Sequence, residues 1–193
     1  MKDAWEARDI SRIAVFAGVI VILGLMGPIP VPGLVPITAQ TLGVMLAGTV
    51  LGWKRGAAAV LVVFLLVAIG LPVLSGGRGG LGAFVGPTAG YLIGWLPAVV
   101  VAGVVAHSGA KRLSWYRVGL GAVVGGIGAA YALGIPGVAI VTGISLREAA
   151  LSAIAFLPGD IVKAVCATIL VTVLYRAYPP AFPARLRRAR AAA

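Results

Sequence analysis

Phe156-Leu157-Pro158-Gly159-Asp160-Ile161-Val162-Lys163 opens the last long apolar segment of the chain and sets a carboxylate and an ammonium three residues apart inside it. In a helix, positions i and i+3 share a face, so Asp160 and Lys163 point the same way. Every other charged side chain falls between apolar runs or at a terminus. A charge at membrane depth is costly, and it marks a site, a pairing partner, or both. The competing reading is an ion pair that only holds two helices together.

The surrounding composition decides the medium in which that pair sits. Of 193 residues, 61% are hydrophobic and 11% charged, far more apolar surface than a soluble domain of this size buries. Long apolar runs indicate an all-α, multi-span membrane protein. Twenty-eight glycines and few aromatics suit closely packed helices, and no ten-residue alternation suggests a barrel. Six spans follow, at about Ile10–Gly27, Thr38–Gly52, Gly56–Gly70, Thr88–His107, Val118–Pro136 and Pro158–Tyr175. They make one integral membrane domain over residues 1–193, with a basic tail from about residue 177. The opening MKDAWEARD carries acids and lacks a basic n-region with a cleavage site, so no signal peptide is expected.

Charge placement orients the spans. Lys2, Arg8, Arg12, Lys54, Arg55, Lys111, Arg112, Arg117, Arg176, Arg185, Arg187, Arg188 and Arg190 fall on one side, and Arg78 and Arg147 on the other. By the positive-inside rule both termini are cytoplasmic in the cell membrane. The net charge of +11 is then read as topology and lipid contact, and nucleic acid is not expected as a partner.

In this orientation spans two, four and six run inward from the outer face. Each carries a proline at its outer start (Pro36, Pro87, Pro158), followed by polar residues: Thr38 and Gln40, Thr88 and Tyr91, Asp160 and Lys163. Proline suits a first helical turn, and three helix N-termini with free N–H groups would form a polar pocket near the outer surface. The proline-rich run Gly27–Pro36 predicts a stiff extended loop. The run Leu71–Gly82, containing Gly76, Gly77 and Arg78, predicts a loop whose backbone approaches the ligand and covers it. Gly77, Gly79 and Gly82 match G-x-G-x-x-G, but no strand precedes them and no acid follows about twenty residues on, so no dinucleotide site is inferred. No P-loop motif is present. Ser145 and Glu148 have capping-box spacing and predict a short interfacial helix ending near Phe156, which Pro158 and Gly159 then interrupt.

Small residues recur at four-residue spacing, as in Gly86, Gly90 and Gly94, or Gly121, Gly125 and Ala129, and most are expected to pack helices together. Ala14 and Gly18, on the first span toward the cytoplasmic side, could instead face a partner. His107 is expected at the interface and Cys166 in packing. A single cysteine excludes an intramolecular disulfide and any multi-cysteine metal site.

Four stretches in this order resemble the BioY family of biotin-specific substrate-binding (S) components of energy-coupling-factor (ECF) transporters. They are Pro36–Val44, Gly70–Val73, Gly76-Gly77 through Gly86-Pro87-Thr88-Ala89-Gly90-Tyr91-Leu92-Ile93-Gly94, and Phe156–Lys163; the likeness covers most of the chain. It implies a six-helix S-component bundle with biotin bound near the outer face. It also implies a partner complex of one membrane coupling protein and two ATPase subunits, or self-association where no such module exists. Asp160 and Lys163 fall on the family's ligand pair. Thr38, Gln40, Gly76, Gly77, Arg78, Phe84, Thr88 and Tyr91 complete the expected binding set. The family's Ala-x-x-x-Ala docking motif reads Ala14 and Gly18 here, and glycine still permits close approach.

The ureido ring of biotin offers two N–H donors and one carbonyl acceptor, which a carboxylate and an ammonium complement. Whether Lys163 serves the ring, or Lys163 or Arg78 holds the valerate carboxylate, is left open by the residues. Biotin would be a transported ligand; no cofactor is expected, and ATP hydrolysis would belong to the partners. The rival reading is a proton-coupled secondary transporter of a small vitamin-like anion, with Asp160 as the proton carrier. The position of the charged pair near one face, and the lack of an inverted repeat, speak against it. An intramembrane enzyme lacks a second acid for a carboxylate pair.

Overall fold

The computed structural model describes residues 6–27, 37–109, 113–183 and 186. Six long helices and one short one account for most of them. The long helices are α1 (Ala7–Leu25), α2 (Gln40–Leu51), α3 (Trp53–Ala68), α4 (Ala89–Ala106), α5 (Trp115–Thr142) and α7 (Leu157–Ala177); α6 (Leu146–Ala153) is the short one. The runs Ala89–Ala106, Trp115–Thr142 and Leu146–Ala177 are long and apolar enough to cross a membrane. The α2 run, at 12 residues, falls short of the ~20 needed for a full crossing. The Gly27–Pro36 loop lies mostly outside the described residues, as do Lys111, Arg112 and most of the basic tail.

The centre of the bundle is α2 and α4, each lined by small or β-branched residues. Val44, Val50, Val60, Val63, Val67, Val99 and Val118 are almost wholly enclosed. The outside is as apolar as the inside. Ile161, Val165, Ile169 and Val173, four apart along α7, are each about half exposed (49–56%). Such a stripe is untenable in water and natural against lipid.

Helices pack this closely because several contacts are backbone on backbone. A Cβ on Gly137 of α5 would lie 2.5 Å from the Gly90 Cα of α4. Gly43, Gly94, Gly121 and Gly125 also face neighbouring helices, as their spacing predicts. Gly18 differs, since nothing lies within 4 Å of a Cβ built there, and Ala14 is exposed.

Two boundaries depart from the sequence reading. The fifth span does not stop at Pro136. It continues to Thr142 and contains a π-turn at Val124–Ala129. α3 begins at Trp53 and so takes in Lys54 and Arg55. His107 is buried within the protein, and its Nε2 lies 2.7 Å from the Thr49 carbonyl, tying the end of α4 to the end of α2. The expected capping box is formed: Ser145 Oγ accepts from Glu148 N at 3.2 Å and the Ser145 N–H donates to Glu148 Oε2 at 2.8 Å. A single 3₁₀ turn, Ile154–Phe156, separates α6 from α7.

A second charged cluster lies at the opposite end from Asp160. Asp9 is buried, 2.8 Å from Arg55 of α3 and 3.2 Å from Arg12, while Arg12 also donates to the Pro180 carbonyl. It fastens the first helix to the third and to the chain after α7, where Phe182 and Leu186 are fully enclosed. The backbone contact between α4 and α5 makes a direct prediction. Gly137→Val should destabilise the detergent-solubilised protein by about 1–3 kcal/mol through overpacking. Gly128→Ala, on the same helix with nothing within 4 Å of the new Cβ, should leave the thermal midpoint unchanged or raise it.

Candidate functional site

The N-terminal ends of α2, α4 and α7 converge on one cavity, with the second half of α5 closing its side. Helix α7 contributes Asp160 and Lys163 from its first two turns, and α4 contributes Thr88 and Tyr91. Gln40 and Thr41 come from the start of α2, Ile37 and Thr38 from the residues just before it, and Arg78 from the loop between α3 and α4. The three clusters that the sequence places at matching helix ends therefore meet. Most of the remaining wall is apolar, with Leu74, Leu92, Trp95 and Phe156, the usual make-up of a small-molecule site with few polar anchors.

The charged pair is formed and mostly enclosed. Lys163 Nζ lies 2.8 Å from Asp160 Oδ1, with side-chain exposures of 14% and 7%. Lys163 Nζ also donates to Thr41 Oγ1 at 3.0 Å, and Tyr131 Oη donates to Asp160 Oδ2 at 2.7 Å. An ammonium has three donors and each carboxylate oxygen has two lone pairs. One Lys163 donor and one acceptor position on each Asp160 oxygen therefore stay available to a ligand.

Arg78 stands exposed at the rim. Its Nε donates to the Ser75 carbonyl and its Nη1 to Thr88 Oγ1, both at 3.2 Å, and it makes no ion pair among the described residues. Its position is set by a tight hairpin in which Leu74 and Arg78 exchange two backbone hydrogen bonds. Gly76 and Gly77, at φ 78° and 70°, make that turn, since left-handed backbone is strained for residues with a Cβ.

Four of the expected binding residues are engaged within the protein. Gln40 borders the cavity, but its amide is occupied by backbone. It donates to the carbonyls of Ile20 (3.3 Å) and Val73 (3.0 Å) and accepts from the Ser75 N–H at 2.9 Å. It is 2% exposed and fastens the Arg78 loop to α1 and α2. Phe84 does not line the cavity; it packs edge-on against Phe64, which stacks on Trp95 of the cavity wall. Gly76 and Gly77 likewise shape the turn without bordering the cavity. Tyr131, Thr41, Trp95 and Phe156 do border it and were not among the expected binding residues. A tyrosine within an apolar span was the available signal for Tyr131. No group of three or more metal-binding side chains occurs among the described residues.

Comparison with known proteins places this geometry. The model of the BioY family matches residues 1–180. The biotin transporter BioY of Rhizobium etli is 50% identical over 186 residues, 93% of this chain and 99% of that protein. That of Rhodobacter capsulatus is 49% identical over 187 residues, covering 92% and 98%. A crystal structure of the S-component for biotin from an ECF-type ABC transporter superposes with a TM-score of 0.84 at 31% identity, covering 91% of this chain and 95% of that one.

Because Gln40 holds backbone groups, Gln40→Leu should act on the loop first. It strands the Ser75 N–H and the Val73 carbonyl, each at a cost of about 1–3 kcal/mol. Hydrogen exchange over residues 71–80 should accelerate while the core of α4 stays protected. An unchanged exchange pattern would leave the amide free for ligand instead.

Proposed function

The chain belongs to the BioY family, and from that premise we propose that it is the substrate-binding subunit of an ECF transporter, capturing biotin from the outer face of the cell membrane. The observation that carries this reading is the Asp160–Lys163 pair, held open toward an apolar cavity at the shared end of three helices. The ureido ring is neutral, planar and polar on one edge. An acceptor position on Asp160 matches one of its N–H groups, and the remaining donor of Lys163 matches its carbonyl. The thiophane ring and the chain then lie against Trp95, Phe156 and Tyr91, which packs edge-on against Phe156 at 6.0 Å.

Geometry favours Arg78 for the valerate carboxylate. Lys163 already balances Asp160, whereas the guanidinium of Arg78 is exposed, uncompensated and at the mouth, where a ligand's flexible tail would end. Thr38 and Thr88 supply hydroxyls along that path. The hairpin carrying Arg78 would then cover the ligand. No residue here has a catalytic role in this reading; ATP is hydrolysed by two partner ATPases, engaged through a membrane coupling protein or, where no such module exists, replaced by self-association. Ala14 and Gly18, on an open face of α1, are the proposed docking stripe.

Asp160→Asn and Lys163→Ala should each weaken biotin binding by about 10- to 150-fold in calorimetry, the worth of a hydrogen bond to a charged group. Arg78→Gln should weaken biotin binding while leaving that of the primary amide of biotin nearly unchanged. Parent-like affinity in both pair variants would make the ion pair purely structural.

Gly18→Trp separates capture from transport. Biotin affinity of the isolated subunit should stay within about twofold, because distant sites act additively, while uptake in cells that supply a coupling module collapses. Proton-driven uptake by the purified subunit alone in vesicles would overturn the capture-subunit reading.

A further inference from the structure

Tyr131 lies midway along an apolar helix, and its hydroxyl reaches Asp160 Oδ2 at 2.7 Å. Its ring packs edge-on against Tyr91, with centroids 5.8 Å apart. The hydroxyl is held to a buried carboxylate that already balances Lys163, so charge compensation does not require it. What the contact does is geometric. A carboxylate on a short side chain can swing about χ1 and turn about χ2. Lys163, three residues along the same helix, restrains one oxygen only. A donor from a different helix restrains the other.

The placement of Tyr131 depends on the π-turn at Val124–Ala129. Before it, the inward face of α5 is marked by Gly121, Ala122, Gly125 and Gly126; after it, by Ala130, Gly134 and Val138. An uninterrupted repeat of 3.6 residues would bring the next inward positions near 129 and 132–133. The extra residue in the π-turn delays them by one, a rotation of about 100° for everything that follows. Tyr131 is thereby aimed at the cavity.

Resting on the biotin-capture reading, we propose that Tyr131 is a positioning residue of the binding site. It fixes the plane of the Asp160 carboxylate so that an acceptor position left on it faces the ligand. The π-turn of α5 is the device that presents it. The hydroxyl does not itself need to touch the ligand.

The test is a double-mutant cycle with a second readout in the ligand-free protein. Tyr131→Phe removes only the hydroxyl and keeps the ring against Tyr91, so the thermal midpoint should stay near that of the parent. Biotin affinity should nevertheless fall by about five- to twentyfold. In the Asp160→Ala background the same substitution should change affinity by less than about twofold, because Tyr131 acts through the carboxylate. Additive losses, or no loss in the single variant, would overturn the proposal. With 3-fluorotyrosine placed at position 131 and no ligand present, Asp160→Ala should move the fluorine resonance; an unmoved signal would also overturn it. Absence of biotin binding by the parent would instead overturn the capture reading, and the fluorine experiment would still report on the Tyr131–Asp160 contact.

Discussion

The bundle depends on keeping a carboxylate and an ammonium together in apolar surroundings. Removing a charge from water costs several kcal/mol per ion even after relaxation, and mutual attraction repays it only when the geometry is good and the remaining polar valences are filled. Here Asp160 and Lys163 meet at 2.8 Å, Thr41 Oγ1 accepts a hydrogen bond from the ammonium, and the Tyr131 hydroxyl donates one to the second carboxylate oxygen. Each helper comes from a different helix. The pair therefore constrains the rotation of α2 and α5 about α7. The same residues border the cavity, so the contacts that satisfy the pair also shape its wall.

Satisfying the pair requires helices to approach closely, and glycine makes that possible where backbones touch, as at Gly90 and Gly137. Close packing leaves the middle of the bundle without polar groups in need of partners. Thr49 bonds within its own helix, to the Met45 carbonyl at 2.7 Å, and the surrounding positions are valine and alanine. Polar chemistry is pushed to the two ends. One end holds the cavity; the other holds Asp9 with Arg12 and Arg55, which clamp α1 to α3 and to the chain after α7. Such a layout keeps the cavity and the Asp9 cluster at opposite ends of one small domain.

The loop between α3 and α4 follows the same economy. Gln40 looks like a ligand residue by its position beside a helix N-terminus, yet a buried amide must fill its own hydrogen-bonding capacity. It does so with three backbone groups from α1 and the loop. Arg78 is the residue that benefits, because the hairpin that carries it is held from below by Gln40 and closed above by Gly76 and Gly77.

Properties that depend on near neighbours were legible in the sequence. Helix after helix is dictated by apolar runs and their polar starts, the capping box at Ser145 by a three-residue spacing, and the shared face of Asp160 and Lys163 by helical geometry. The convergence of three helix ends followed from counting antiparallel spans. Other features required the folded molecule, because they turn on how far each helix is rotated and how closely it approaches its neighbours. A π-turn is a matter of one residue's hydrogen bonding and leaves little trace in composition, yet it decides that Tyr131 meets Asp160. Whether Gln40 turned to a ligand or to the Val73 and Ser75 backbone depended on where the loop came to rest. Phe84 ended behind Phe64 for the same reason. The sequence by itself determined which chemistry sits at which end of the bundle, since that is written in local order. Tertiary structure alone decided which side chains spend that chemistry on the protein and which are left facing the cavity, since that depends on contacts between residues far apart in the chain.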